Sequence, residues 1–181
     1  MQEYWDLYDR DRRPLGRVHP RGTPLSPDTY HVVVHLCLFN EEGKMLIQRR
    51  VNDKDTFPGF WDLSLGGSVL AGEDSHGAVV RECTEELGLA PRLASARPYL
   101  TVHFSEGFDD VYIATCEESK LSVHLQADEV AEIAWAGEEE VLSMIAAGTF
   151  IPYHVPYVSL LFRYRHYRGN FSLSPVSPPS V

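Results

Sequence analysis

The sequence is poor in cysteine and in positive charge, and it contains no long apolar run. Its three cysteines, Cys37, Cys83 and Cys116, are an odd number without metal-ligand spacing. Each lies among apolar neighbours, which indicates a small buried residue rather than a reactive one. The first ten residues, MQEYWDLYDR, are polar and lack a signal-like apolar run, and no segment approaches membrane-spanning length. We therefore expect a reduced, cytoplasmic protein with no membrane partner.

The shortage of basic residues limits the partners further. Lys and Arg number 16 against 26 Asp and Glu, which gives a net charge of −10. Non-specific nucleic-acid binding requires a basic field, so we expect no nucleic-acid partner. An acidic protein that handles phosphates must make its positive potential locally, from a metal and a few basic residues. The 181 residues, 44% of them hydrophobic, correspond to one domain with a proper core.

Apolar alternation and helical spacing locate most of the elements. They predict an N-terminal hairpin at 4–19, strands at 31–39, 45–50, 61–65, 97–104, 111–116 and 129–135, and helices at 138–147 and about 153–167. The Ser- and Pro-rich tail at 169–181 is expected to be disordered. Strands outnumber helices and are interspersed with them, which indicates a mixed sheet covered by helices.

The most informative stretch runs from Gly67 to Leu89 and has the sequence GSVLAGEDSHGAVVRECTEELGL. Asp74 or Ser75 can cap the start of a helix, and Gly88 can end it. Apolar residues four positions apart give this helix a stripe for burial. We predict that the helix is entered from a turn at the double glycine 66–67.

Three carboxylates share one face of this predicted helix. Glu82, Glu85 and Glu86 stand at i, i+3 and i+4, where like charges repel. Converging beside the double glycine, they would suit a hard divalent cation such as Mg²⁺, which takes oxygen ligands and bridges to substrate phosphates. Arg81 can pair with Glu85 one turn on and hold that carboxylate in place. A solvated acidic face is the alternative interpretation of the cluster taken by itself.

The spacing of the whole stretch is more specific than the cluster. Five residues separate Gly67 from Glu73, seven separate Glu73 from Arg81, and the end has the form Arg-Glu-apolar-x-Glu-Glu-x-Gly-apolar. Every specified position matches the Nudix box, and the chain resembles the Nudix family from about residue 5 to 162. The resemblance implies an α/β Nudix fold, an α/β/α sandwich around a mixed β-sheet, in a single domain at 1–168.

The resemblance also implies a metal site and a hydrolytic reaction. Glu82, Glu85 and Glu86 would bind Mg²⁺, or Mn²⁺ as a substitute, with the Gly66 carbonyl as a backbone ligand. The metal would lower the pKa of a bound water that attacks phosphorus. Glu82 or Glu85 would orient or deprotonate that water. In related enzymes the base comes from a distant loop, for which Glu129 is preferred here over Asp109, Asp110 and Glu132.

The remaining site residues are basic, aromatic or supporting. Arg49, Arg50 and Lys54 are expected to bind the diphosphate, because a guanidinium can donate two hydrogen bonds to a phosphate; the alternative for each is a surface charge. Phe57, Phe60 and Trp61 would stack on a nucleobase or belong to the core. The residues that support the motif are Gly67, Glu73 and Arg81.

The segments TFPGFWDLSLGG and WDLYDRDRRPLG resemble the Nudix branch that includes isopentenyl-diphosphate isomerase. Gly66 and Ser68 stand where that enzyme has its Cys-x-His element, so the proton-transferring thiol and one metal-binding histidine are absent. His19 and His31 match two further metal-binding positions of the isomerase, and Asp110 matches an acidic one. For His31, a strand-edge histidine is the preferred alternative.

These observations lead to one main hypothesis and two alternatives. The main hypothesis is a Mg²⁺-dependent hydrolase that cleaves the diphosphate linkage of a nucleoside diphosphate or triphosphate derivative. The alternatives are an isomerase of a prenyl diphosphate and a non-catalytic, nucleotide-sensing Nudix domain. The expected partner is a small diphosphate substrate, and a homodimer is left open.

Overall fold

The computed structural model describes residues 2–91, 93 and 95–166. The predicted disordered tail at 169–181 therefore lies outside the described residues. Among the residues described, no helix is both long and apolar enough to span a membrane. The elements are β1 (Tyr4–Tyr8), β2 (Pro14–Pro20), β3 (His31–Phe39), β4 (Met45–Arg50), β5 (Trp61–Asp62), β6 (Leu65–Ser68), α1 (Ser75–Leu87), β7 (Leu100–Phe104), β8 (Gly107–Thr115), β9 (Val130–Ala136), α2 (Glu138–Ala146) and α3 (Val155–Tyr164).

The apolar run HVVVHLCLF becomes β3, the central strand of a mixed sheet. It pairs in parallel with β8 along its whole length, and β7 continues the sheet beyond β8. On its other side β3 pairs with β6 at one end, but with β4 only through Phe39 and Met45 at the other. Strands β5 and β9 pair with β4 instead. The sheet is therefore split between β3 and β4.

Helices cover both faces of this sheet, as expected for an α/β/α sandwich. Alternate residues of β3, beginning with Val32 and Val34, pack with α1 in one core, because successive side chains of a strand point to opposite faces. A second core on the opposite face contains Cys37 and Phe39 of β3, Val141 of α2 and several residues of α3. The fold predicted from the resemblance is confirmed.

The predicted N-terminal hairpin forms from β1 and β2, which pair antiparallel. Its turn docks on the sheet because Arg12 donates two hydrogen bonds to Asp110, whose side chain is 1% exposed. Thr101 Oγ1 donates to the same carboxylate at 2.6 Å. Near the other end of β1, the Ala71 amide donates to the Tyr4 carbonyl at 2.8 Å. The hairpin is thus fixed to the domain at two separate places.

The structure differs from the sequence prediction around the double glycine. The expected single strand at 61–65 is two strands, and Gly66 and Gly67 lie inside β6 rather than in a turn. They pair with His35 and Val34 of β3, so backbone pairing overrides the low strand propensity of glycine. A Cβ on Gly66 would stand 2.8 Å from His35 Nε2, and one on Gly67 would collide with the Glu82 carboxylate. Glycine is needed here for close approach.

Strand β8 also begins earlier than predicted. Asp109 and Asp110, expected in the loop before it, are paired within the strand. Asp is unfavourable in strands, but β8 is paired on both sides, and each carboxylate has a partner, Arg12 for Asp110 and His35 for Asp109. Tertiary contacts therefore decide this boundary.

The cysteines behave as small apolar residues. Cys37 and Cys83 are fully buried, and Cys116 is half-buried. Burial raises the pKa of Cys83 to about 12. The Cys83 thiol is therefore protonated and unreactive at neutral pH.

We predict that Arg12→Gln lowers the free energy of unfolding by about 2–3 kcal/mol, because it leaves the buried Asp110 charge without its cation. The effect is below that of a fully buried pair because Arg12 is 35% exposed. Arg13→Gln is the control, since Arg13 pairs with Asp11 on the surface. Urea denaturation of both variants measures the difference, and equal stabilities would contradict the role of Arg12.

Candidate active site

A cavity of about 310 Å³ lies where the split sheet meets the acidic side of α1. Strands β3, β4, β5 and β6, the loop after β4, the segment before β9 and the N-terminal hairpin all contribute to it. The lining residues are Glu3, Arg21, Val33, His35, Arg50, Lys54, Asp62, Gly66, Gly67, Ser68, Arg81, Glu82, Glu85, Glu86, Gln126 and Glu129.

Helix α1 forms with the predicted caps and presents its glutamates to this cavity. Asp74 accepts a hydrogen bond from the Gly77 amide at 2.7 Å, and Gly88 ends the helix in the left-handed conformation. The fully buried apolar stripe of α1 fixes the rotation of the helix about its axis. As a result Glu82 and Glu86 are each 7% exposed, whereas the Glu85 side chain is 52% exposed.

Arg81 connects the helix to the segments before it. Its guanidinium donates to Glu73 at 2.8 and 3.0 Å and to the Ser68 carbonyl at 3.0 Å. Nη1 also lies 2.9 Å from Glu82 and 3.0 Å from Glu85, so the predicted pair with Glu85 is confirmed. One cation thus ties the end of β6, the following loop and α1 together.

The two buried glutamates are only partly compensated. Burial raises the pKa of Glu86 to about 7, and the charge of Glu82 adds to the rise. Gln48 Nε2 donates to Glu86 at 3.2 Å, and Lys54 counters the shift from further away. Burial also raises the pKa of Glu82, although Arg81 opposes it. Two carboxylates of this kind favour a cation beside them.

The chemistry of these residues suits a divalent cation, but their present arrangement does not form a complete site. The carboxylate oxygens are the donors that Mg²⁺ prefers. Yet in the described part of the chain, no three His, Cys, Asp or Glu side chains stand close enough together to hold a metal ion. Arg81 draws Glu82 and Glu85 toward itself, so a complete ligand set would require side-chain movement.

Two of the three predicted basic residues line the cavity. Arg50 lies 3.7 Å from Asp62, and its Nε donates to the Thr56 carbonyl at 3.1 Å. Lys54 forms an ion pair with Glu129. Arg49 points elsewhere, toward Glu132 at 3.5 Å, because neighbouring side chains of β4 face opposite sides of the sheet.

The four alternative base candidates are separated by the fold. Glu129 lines the cavity, next to Lys54. Asp110 is bound by Arg12, and Glu132 by Arg49, and neither lines the cavity. Asp109 accepts a hydrogen bond from His35, which lines the cavity, but Asp109 itself does not.

Several lining residues, among them His35 and Asp62, were not predicted from the sequence. His35 interrupts the apolar run of β3, and its Nδ1 lies 2.9 Å from Asp109. Burial favours a lower pKa for His35, but the nearby carboxylates, Asp109 foremost, together outweigh burial and raise the pKa to about 9. Asp62 is 3% exposed and accepts a hydrogen bond from the Tyr153 hydroxyl at 2.8 Å. The only hint in the sequence was a polar residue within an apolar strand.

The histidines and aromatic residues that the sequence suggested as metal ligands or nucleobase contacts do not line the cavity. The His31 ring stacks on Trp5 with centroids 4.0 Å apart, and burial lowers the pKa of His31 to about 4. His19 stacks on the same indole at 6.4 Å. This arrangement favours a structural role for both histidines. The predicted nucleobase contacts Phe57, Phe60 and Trp61 also lie outside the cavity lining.

Comparisons with known proteins agree with this architecture. The sequence model of the NUDIX domain matches residues 29–156, more than half of the chain. An uncharacterised Nudix hydrolase of Listeria monocytogenes is 43% identical over 151 residues, covering 83% of this chain and 89% of that protein. An isopentenyl-diphosphate Delta-isomerase of Leifsonia xyli is 33% identical over 153 residues, covering 78% of this chain and 80% of that protein. A crystal structure from Deinococcus radiodurans superposes with a TM-score of 0.72 at 26% identity, covering 89% of this chain and 98% of that one.

We predict that Glu86→Gln stabilises the metal-free protein at pH 8 by about 1–3 kcal/mol, and that only about a quarter of this gain remains at pH 5. Folding raises the pKa of this carboxyl from 4.5 to about 7, so the unfolded chain releases the proton more readily than the folded one. The resulting penalty on the folded state is absent well below pH 4.5, grows between pH 4.5 and 7, and stays constant above that range. Urea denaturation in EDTA at both pH values measures it.

The control for this prediction is Glu85→Gln. Glu85 is 52% exposed, so its neutralisation should change stability little at either pH. A Glu86→Gln gain that is the same at pH 5 and pH 8 would show that ionisation of Glu86 is not the cause.

Proposed function

The chain belongs to the Nudix hydrolase family, and from this premise we propose that it cleaves the diphosphate linkage of a nucleoside diphosphate or triphosphate derivative by attack of water on phosphorus. The observation that carries the proposal is the cavity, whose lining combines the buried carboxylates of Glu82 and Glu86 with the basic side chains of Arg50 and Lys54. A site that holds acids and cations together suits a metal-bound phosphate group.

We propose Mg²⁺ as the metal, with Mn²⁺ as a substitute. Glu82, Glu85 and Glu86 would hold it, together with the Gly66 carbonyl. When bound, the metal supplies a water of lowered pKa and neutralises charge on the phosphate oxygens. The small diphosphate partner and the cytoplasmic location expected from the composition belong to the same proposal.

Glu82 is the preferred acceptor for the proton of the attacking water. It is nearly buried, and burial raises its pKa, so its carboxylate is more basic than an exposed one. Arg81 holds it at 2.9 Å and limits its rotation. Glu129 is the alternative, since it also lines the cavity, but Lys54 already binds its carboxylate.

Isomerisation is less well supported by the geometry. Gly66 offers no thiol, and any side chain at this position would come within 2.8 Å of His35 Nε2 at its first carbon. Ser68 replaces the expected histidine, and the two remaining histidines stack on Trp5. A purely sensing domain is also disfavoured, because it has no need of two buried carboxylates that repel each other.

A phosphate-release screen with Mg²⁺ over many nucleotide diphosphates and triphosphates tests the proposal. We expect hydrolysis of at least one class by the wild type and a loss of kcat by orders of magnitude in Glu82→Gln. Turnover of Glu82→Gln close to that of the wild type would overturn the assignment. Isopentenyl diphosphate in deuterated solvent should show no exchange of hydrogen, and exchange would favour the isomerase.

We predict that Arg50→Ala weakens transition-state binding by about 1.5–3 kcal/mol, the scale of a charge-assisted hydrogen bond. This corresponds to a fall of about ten- to a hundred-fold in kcat/KM. Arg50→Lys should recover part of it, because lysine keeps the charge and loses the planar fork. Steady-state kinetics at fixed ionic strength and saturating Mg²⁺ measure the effect.

Arg49→Ala is the matched control for this measurement. Arg49 is the neighbour of Arg50 on β4 and carries the same charge, but it does not line the cavity. An equal loss of kcat/KM in both variants would indicate a general field effect rather than a contact made by Arg50.

A further inference from the structure

The N-terminal hairpin supplies two side chains to the cavity. Glu3 directly precedes β1 and Arg21 directly follows β2, so they lie side by side at the open end of the hairpin. The Arg21 amide donates to the Glu3 carbonyl at 3.0 Å. The Arg21 guanidinium also donates to the Glu3 carboxylate. Both side chains line the cavity.

Two hydrogen bonds hold this end of the hairpin against the loop between β6 and α1. The Ala71 amide donates to the Tyr4 carbonyl at 2.8 Å, and the Gly72 amide donates to Asp6 at 2.7 Å. Residues 71 and 72 lie in the loop that connects β6 to α1. The fold therefore sets the position of the Arg21 backbone relative to the glutamates of α1. The Arg21 side chain can still exchange one hydrogen-bond partner for another.

The charge of Arg21 reaches both sides of the cavity. Burial raises the pKa of Glu82, and Arg21 is one of the cations that oppose this rise. Burial lowers the pKa of Lys54, and repulsion by Arg50 and Arg21 adds to it. Arg21 therefore contributes positive potential inside the cavity.

The ion pair between Arg21 and Glu3 is weak. The Arg21 and Glu3 side chains are 43% and 41% exposed. Ion pairs at such exposure contribute little to stability, because water screens the two charges. A ligand that carries two or more negative charges can therefore displace the single carboxylate of Glu3 at small cost.

We infer that Arg21 is a further substrate-binding residue, which contacts the phosphates of a diphosphate ligand from the hairpin side while Arg50 and Lys54 contact them from the β4 side. Glu3 holds Arg21 in the absence of ligand and competes with the ligand for it. This inference rests on the proposed function, since the ligand is the diphosphate group named there.

The test is the affinity for methylenediphosphonate, a diphosphate analogue that cannot be hydrolysed, measured by titration calorimetry at fixed Mg²⁺ and ionic strength. Loss of one charge-assisted contact at a half-exposed site should weaken binding about 5- to 20-fold in Arg21→Ala. Removal of the competitor should strengthen binding about 2- to 5-fold in Glu3→Gln. The double variant should bind like Arg21→Ala, because Glu3 acts only through Arg21.

Arg17→Ala is the matched control. Arg17 lies on β2, is exposed and does not line the cavity, so its removal should leave the affinity unchanged. The inference is overturned if Arg21→Ala binds the analogue like the wild type, or if Arg17→Ala loses as much. A Glu3→Gln gain that persists in the double variant would overturn the role of Glu3.

The same experiment separates this inference from the proposed function. If the variants behave as expected but the screen finds no hydrolysis, the binding role of Arg21 stands and the hydrolytic proposal fails. If hydrolysis is found and Arg21→Ala is silent in both affinity and KM, the hydrolytic proposal stands alone. A wild type that does not bind the analogue overturns the Arg21 inference itself.

Discussion

The site depends on the contacts that the Arg81 guanidinium makes. It donates to Glu73 in the loop, to the Ser68 carbonyl at the end of β6, and to Glu82 and Glu85 on α1. The glutamates of α1 repel one another at their helical spacing, and a half-buried cation offsets that repulsion without neutralising all of them. The same cation fixes the helix against the strand, so that the acidic face and the β6 backbone keep one relative position.

The double glycine is the steric counterpart of this electrostatic contact. Gly67 lies directly below the Glu82 carboxylate, and Gly66 lies against the His35 ring. A side chain at either position would displace a polar group that lines the cavity. Helix and strand can therefore approach closely enough for the β6 backbone and the α1 carboxylates to line the same cavity.

The charges of the site are arranged by depth. Glu82 and Glu86 are nearly buried and must be compensated in place. The basic residues of the cavity are paired with carboxylates of increasing exposure: Asp62 beside Arg50 is 4% exposed, Glu129 beside Lys54 is 32% exposed, and Glu3 beside Arg21 is 41% exposed. Water screens the exposed Arg21–Glu3 pair most, so this pair contributes least to stability. A chain with a net charge of −10 thus still gathers Arg21, Arg50, Lys54 and Arg81 around one cavity.

The sequence by itself determined the parts that depend on local periodicity and spacing. Helix α1, its caps, the Arg81–Glu85 pair and the central strand β3 follow from residues within a few positions of one another, and the box spacing identified the family and the fold. Only the tertiary structure decided the rest. Pairing with β3 places the double glycine in a strand. The alternation of side chains along β4 directs Arg50, but not Arg49, to the cavity. Docking of the N-terminal hairpin adds Arg21 to the cavity lining. These outcomes depend on contacts between residues far apart in the chain. Local propensity does not specify which distant residues come into contact.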